Sequence, residues 1–503
     1  MSQPERNVIP DESKTERADA TRLRLVFFSF MFLLNACWLY SISHRFLLDP
    51  DTFTHIGIGR EIWETGRFPH HDEYSHSFFG YPWIAKEWLS QIILYFAHYF
   101  GGWNLVVVLI TFALSLAGSL LYLFLSLRIN NSLAVILSYL ALVLSMQTYL
   151  ARPHILTFPL LLIWTEYLLR ALEQARAPCF WLLPVIAVWA NLHGTFTIGL
   201  AIAGLCFLSF FEHVRFTQIR ELAKWVLFLW ACVAVSLVHP YGYKAILISF
   251  SVIQNEWLNL PGEWSAVDVV SEPIHELALF VLLFFLLTFG LKLRFAKSIF
   301  VLVILHLFLS HIRFAYLFYY LLPLITSFEI ETQHPRISSS TWTATLEDGV
   351  SIFLKTNAIT LSIVLGFAYV VITGSFLALS NISPQENIAP RRALNFARAT
   401  GLTGNVLNPG EFGGFLIFEG VKTFVDGRND QLFRGDFLRN ILKSQAADGD
   451  EPLNQQLRDY QIGWTLLRPA DPRNQKLDNK PNWRRVYEDE AAVIHAPAAN
   501  AVR

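Results

Sequence analysis

Two carboxylates stand one residue apart in the stretch Leu48-Asp49-Pro50-Asp51-Thr52-Phe53-Thr54-His55, directly after the first long apolar run. A carboxylate can act as general base toward an attacking hydroxyl. It can also help hold a divalent metal, Mg or Mn, that neutralises a leaving phosphate. His55 follows Asp51 by one helical turn, on the same face. Further on come Glu87, Arg152-Pro153-His154, Asn191-Leu192-His193-Gly194, His239-Pro240-Tyr241-Gly242, and the pair His311 and Arg313. Arg recognises phosphate bidentately, and His supplies a proton or a hydrogen bond near neutral pH. Acids, imidazoles and guanidinium groups in one chain suit chemistry on a phosphate.

The elements that must position these groups are apolar. Of 503 residues 53% are hydrophobic and 16% charged, with 42 Phe, 15 Trp and a mean hydropathy of +0.39. A soluble protein of this size would carry roughly 25% charged residues. About eleven runs have the hydropathy of membrane spans, near residues 25–42, 105–125, 133–149, 156–169, 180–190, 196–211, 225–238, 277–291, 299–309, 315–328 and 358–379. The class expected is a multi-pass α-helical membrane protein. A net charge of -1 implies no acidic polymer as partner, nucleic acid included. The four cysteines lie in or beside apolar runs, so no disulfide framework is expected. The polar first 24 residues precede an apolar run without a small-residue cleavage site, which reads as a retained helix.

Arg128, Arg170, Arg176, Arg215, Arg220, Lys224, Lys292, Arg294 and Lys297 fall in loops on one side, which predicts an N-terminus inside. The five junctions that carry Asp49 to His55, Arg152 and His154, His193, His239, and His311 with Arg313 then share the outer side. Ionisable groups near hydrocarbon are costly and face a cavity or one another. One polar cavity open to the outside is therefore expected, suited to group transfer from a lipid-linked phosphate. The loop at 43–102 is too long for a connector. It predicts helices over 52–64 and 85–100 lying along the membrane interface. A second outer segment at 241–276, with Glu256, Trp257, Glu263, Trp264 and Asp268, could form a flap.

The tail from 383 to 503 is of ordinary polarity. Helices are predicted at 390–400, 437–444 and 452–460, and strands at 404–407, 422–426, 462–467, 483–487 and 492–495. That alternation predicts a small extracytoplasmic α/β domain. The cluster Gly410, Gly413 and Gly414 lacks the spacing of a nucleotide fingerprint and reads as a tight turn entering a helix.

Asp49-Pro50-Asp51 in the first outer loop, the two interfacial helices after it, and the helical bundle with an outer α/β tail resemble the membrane-integral glycosyltransferases of the GT-C fold. The resemblance covers the layout of most of the chain. It implies a polyprenyl-phosphate sugar as donor, and a glycan, lipid or protein as acceptor at the outer face of the plasma membrane. It further implies that Asp51, with Asp49 next in line, is the base or metal ligand. Arg152, His154, His239, His311 and Arg313 would bind the departing phosphate, with His55, Glu87 and His193 beside them. The layout 1–24 inside, 25–382 in the membrane and 383–503 outside follows.

Each residue also has a plainer use. Asp51 could cap the helix after it, and Arg152 and His154 could anchor at headgroups. His193 could tie up backbone at a broken helix, His239 could belong to a turn, and Glu87-Trp88 could be an interfacial anchor. His70, His71, Asp72, Glu73 and His76 lack metal-site spacing and read as a solvated loop. Two rival functions remain. A transporter or flippase of a lipid-linked sugar needs paired broken helices near the midplane, and no such repeat stands out. A non-catalytic scaffold would leave Asp51 dispensable.

Overall fold

The computed structural model describes residues 12–212, 219–251, 264–268, 270–335, 353–354 and 356–498. Glu256, Trp257 and Glu263 of the expected flap lie outside these residues. The apolar runs fold as helices: α1 Glu12–Ser41, α3 Trp88–Leu125, α4 Asn131–Leu144, α5 Phe158–Glu173, α6 Leu183–Leu192, α7 Phe196–Phe211, α8 Ile219–Ser236, α10 Pro273–Phe289, α11 Phe295–Ser310, α12 Ala315–Gln333 and α13 Ala358–Leu379. Among the described residues four stretches are long and apolar enough to cross a membrane, Asp19–Ser41, Trp88–Leu125, Pro153–Glu173 and Ala358–Leu379. Large apolar side chains cover the outside of α10 and α13, among them Phe280, Phe284, Leu287, Ile363 and Phe367. Contiguous exposed apolar surface of this kind fits contact with lipid.

Two shorter helices complete this part, α2 Asp51–Thr65 and α9 Tyr243–Ser251. The predicted interfacial helix at 85–100 and the following span are one element, α3, bent where Gly102 takes φ 58 and ψ -154. Only glycine adopts that conformation without strain. The bend lets the first part of α3 lie against α2 while the second part enters the bundle. Several of the basic residues expected on the inner side are paired in the core. Arg128 is buried with Nη1 2.8 Å from Glu166 and Nη2 2.9 Å from Glu173, and Lys297 Nζ is 2.6 Å from Glu329.

The tail holds a four-stranded sheet of β1 Asn405–Leu407, β2 Ile462–Leu467, β3 Trp483–Glu488 and β4 Val493–Pro497, in the order β1-β2-β4-β3. β1 and β2 are parallel and the other pairs antiparallel. Around it lie α14 Arg391–Ala399, α15 Gly410–Phe418, α16 Asp436–Gln445, α17 Asp450–Asp459 and α18 Arg473–Asp478. Two expectations fail here. The Gly410–Gly414 cluster is not a turn before a helix but the first half of α15 itself. Its lack of side chains allows close packing, since a Cβ on Gly414 would come 2.1 Å from the Pro50 carbonyl oxygen.

Residues 422–426 are not a strand. Their backbone groups are taken by side chains and by the loop between α2 and α3. Phe424 N donates to Asn408 Oδ1 (2.8 Å), Asn408 Nδ2 donates to Val425 O (2.7 Å), and Thr423 N donates to Tyr74 O (3.0 Å). Once those partners are in place, no ladder is needed. The tail therefore shares cores with α2 and the loop between α2 and α3. Phe53 packs with Phe412 and Phe415, and Ile58, Tyr74 and Trp83 pack with Leu407, Phe424 and Val425.

Candidate active site

The sequence places Asp51 at the first turn of α2. The N-cap is Pro50 and no side chain caps the helix, so Asp51 is not spent on capping. Asp49 turns back instead, its Oδ1 accepting from Asp51 N at 3.0 Å. Asp49 is buried and is gripped by Arg152, from Nε to Oδ2 and from Nη2 to Oδ1 at 2.9 Å. The same Nη2 lies 3.0 Å from Asp51 Oδ2. Arg152 reaches this position because Pro153 starts a short 3-10 turn, Pro153–Thr157, that halts the chain before α5.

Around Asp51 is a cavity of about 1350 Å³ lined also by His55, Lys86, Glu87, Arg152, His154, His193, His311 and Arg313. The 426–431 loop of the tail closes one side. Gly427 is pressed against Asp51 so closely that a Cβ there would sit 1.8 Å from Oδ1. Of the residues expected at the site, two do not line the cavity. Asp49 lies behind Arg152. His239 is used in structure: its Nδ1 accepts from Tyr241 N (3.2 Å) and its Nε2 donates to Lys86 O (3.1 Å), which fixes the backbone just before Glu87.

Glu87 sits between two imidazoles. His193 Nδ1 accepts from Thr195 N at 3.1 Å, so the proton is on Nε2, which faces Glu87 Oε1 at 3.2 Å. His55 Nε2 is 3.8 Å from the other carboxylate oxygen. Burial raises the Glu87 carboxyl to about 7, against the opposing charge of Lys86. Burial lowers His55 to about 3, helped by the charges of Arg152 and His154, and takes His193 well below its usual value. Both imidazoles are therefore neutral and the carboxyl titrates near neutrality. Perturbed groups gathered in one cleft mark a candidate functional site.

On the far wall Arg313 lies flat over Trp264, 3.9 Å from the ring centroid, and His311 Nδ1 donates to Trp264 O (2.6 Å). His154 is buried, with Nε2 donating to Thr148 O at 3.1 Å.

Sequence reasoning missed four participants, Lys86, Asp430, Arg428 and Asp426. Lys86 is part-buried and pairs with Asp430 of the tail. Burial opposes its charge, but Asp430 and Glu87 outweigh that and raise its pKa. Arg428, which is buried, bridges Asp72 of the loop between α2 and α3 (2.6 Å) and Asp426 (2.8 Å) and lies over Tyr74 and Trp83. Asp72 is thus no solvated loop residue. The adjacent unlike charges in Ala85-Lys86-Glu87 and Asp426-Gly427-Arg428 were the available signal.

A divalent metal does not fit the Asp49 and Asp51 pair as arranged. Such an ion needs several oxygen ligands in its first shell, and here a guanidinium group stands between the two carboxylates. Among the described residues no three His, Cys, Asp or Glu side chains are grouped to hold a metal.

The helical bundle, the loop that carries Asp49-Pro50-Asp51 with the helices on either side of it, and the α/β tail at the cavity match the layout that the resemblance to the GT-C fold implies. No protein-family model matches the chain, and no curated protein matches it in sequence. Solved structures do. ArnT from Cupriavidus metallidurans in the apo state is similar over 94% of this chain and 98% of that one, with 13% identity and a TM-score of 0.54. The apo oligosaccharyltransferase of Archaeoglobus fulgidus is similar over 88% of this chain and 69% of that one, with 10% identity and a TM-score of 0.51. At these identities the likeness establishes the fold.

Proposed function

We propose that the protein is a glycosyltransferase that moves a sugar from a polyprenyl-phosphate donor to a glycan, lipid or protein acceptor at the extracytoplasmic face of the membrane. The observation that carries this reading is one cavity lined by Asp51, Arg152, Glu87, the site imidazoles and Arg313, drawn from five separate stretches of chain. A solved protein of the same fold that bears the name of an oligosaccharyltransferase supports it.

In the step proposed, the bond from the anomeric carbon to the phosphate oxygen breaks and its electron pair leaves with the phosphate. The acceptor oxygen bonds to that carbon, and its proton passes to the Asp51 carboxylate. Arg152 and Arg313 offset the charge of the phosphate, since guanidinium forks match phosphate oxygens. Fixed charges aimed at a developing anion in a dry site need no reorganisation during reaction. His154, His193, His55 and His311 line the phosphate pocket as hydrogen-bonding groups, and His239 holds the Lys86-Glu87 backbone.

The proposed topology has about eleven spans, with residues 1–24 inside, 25–382 in the plasma membrane and 383–503 outside, the tail forming the acceptor side of the cavity. The test is to offer the purified protein in nanodiscs a panel of polyprenyl-phosphate sugars with candidate acceptors and to measure release of polyprenyl phosphate. Release above a protein-free control supports the reading. No release from any donor while bound donor is detected speaks for a carrier.

A further inference from the structure

We infer that the Arg152 guanidinium takes the place a divalent cation would hold between Asp49 and Asp51, so that the pair works without a metal. The inference concerns the site's own geometry and goes beyond the reading of the reaction. Asp49 is buried, and both its oxygens are already engaged, one by Arg152 Nε and the other by Arg152 Nη2 (2.9 Å) and the Asp51 backbone N–H (3.0 Å). Asp51 Oδ2 is 3.0 Å from the same Nη2. A cation bridging the two side chains would have to displace an arginine that is itself part-buried.

Chemistry favours the guanidinium staying. Arg is charged at every working pH and carries five donors in a fixed fork, whereas an ammonium or a hydrated ion must be oriented anew. Removing it would leave a buried carboxylate without a counter-charge, which is strongly unfavourable. Asp49 is then a positioning residue: it aims Arg152, and Arg152 presents its remaining face to the cavity and to any phosphate there. The positive charge is supplied by the chain, so no loading step precedes binding. Lys86 and Arg313 on the same cavity add to it.

The experiment needs no turnover, so its failure is separate from failure of the transferase reading. Mn2+ is titrated into the purified full-length protein and free Mn2+ is followed by electron paramagnetic resonance, for wild type, Asp51→Asn and Arg152→Met. Wild type and Asp51→Asn are expected to take up the same Mn2+, within background. Arg152→Met, with its carboxylates released, is expected to bind Mn2+ more tightly by about tenfold or more, and a second Asp51→Asn change is expected to abolish the gain. A Mn2+ site in wild type that disappears in Asp51→Asn overturns the inference. So does a cooperatively melting Arg152→Met protein that gains no Mn2+. Arg152→Lys serves as a second variant: it keeps the charge and is expected to bind no Mn2+, and acquisition of a site there also counts against the inference.

Discussion

Gly427 lies in van der Waals contact with Asp51 although 376 residues separate them in the chain, and no side chain fits between: a Cβ at 427 would be 1.8 Å from Asp51 Oδ1. The tail is thus a wall of the cavity. Gly427→Ala is expected to turn the Asp51 carboxylate away and break its 3.0 Å contact with Arg152. Turnover should fall by about 10–100-fold, as a misplacement worth roughly 1.4–3 kcal/mol would give. Thermal stability should change little. Steady-state rates and a melting curve on the same preparation check both halves.

Arg428 fastens the tail to the loop between α2 and α3 through two buried carboxylates, Asp72 and Asp426. Arg428→Ala leaves both without their cation and is expected to cost about 3–5 kcal/mol, as breaking a buried pair does. The triple change Arg428→Met, Asp72→Asn, Asp426→Asn should recover part of that loss. Limited proteolysis of the tail, together with denaturant midpoints, distinguishes the variants.

Glu87 gives a pH dependence with a defined sign. Its folded pKa is raised from 4.5 to about 7 by burial, so the native state holds a proton that the unfolded state has released between those values. Stability contributed by this group is complete below about 4.5, falls as pH rises, and is lost by about 7. The lowered pKa values of His55 and His193 act in the other direction, weakening the fold as pH drops below about 6.5. Glu87→Gln removes only the first effect. The stability of Glu87→Gln minus that of wild type should therefore increase from pH 4.5 to 7 and then level off. Melting temperatures at half-unit intervals measure it, and a flat difference would remove the buried, neutral-titrating carboxyl.

What could be read without coordinates follows the range of the interactions. α2, the strands 462–467 and 483–487 and the tail helices near 437–444 and 452–460 were legible because local periodicity and turn residues specify them. The residues at 422–426 have the composition of a strand, yet their backbone groups bond to Asn408 and Tyr74. Gly410 to Gly414 looks like a turn because glycine is a poor helix former, but its bare surface is what lets α15 approach Pro50. The polar junctions that line the cavity stood out as ionisable groups beside apolar runs. Lys86 with Asp430, and Arg428 with Asp72, did not, since partners about 350 residues apart leave no local trace. His239 had the right residue type for the site, but its two ring nitrogens are consumed by backbone groups.

The most direct test of the account is transfer from a polyprenyl-phosphate sugar by wild type and by Asp51→Asn, both shown to melt cooperatively and to bind polyprenyl phosphate. Asp51→Asn should retain binding and lose about 10²–10⁴-fold in turnover, the range expected for removal of a general base. Equal turnover by the two proteins would contradict the role assigned to Asp51 and, with it, the mechanism built around the cavity.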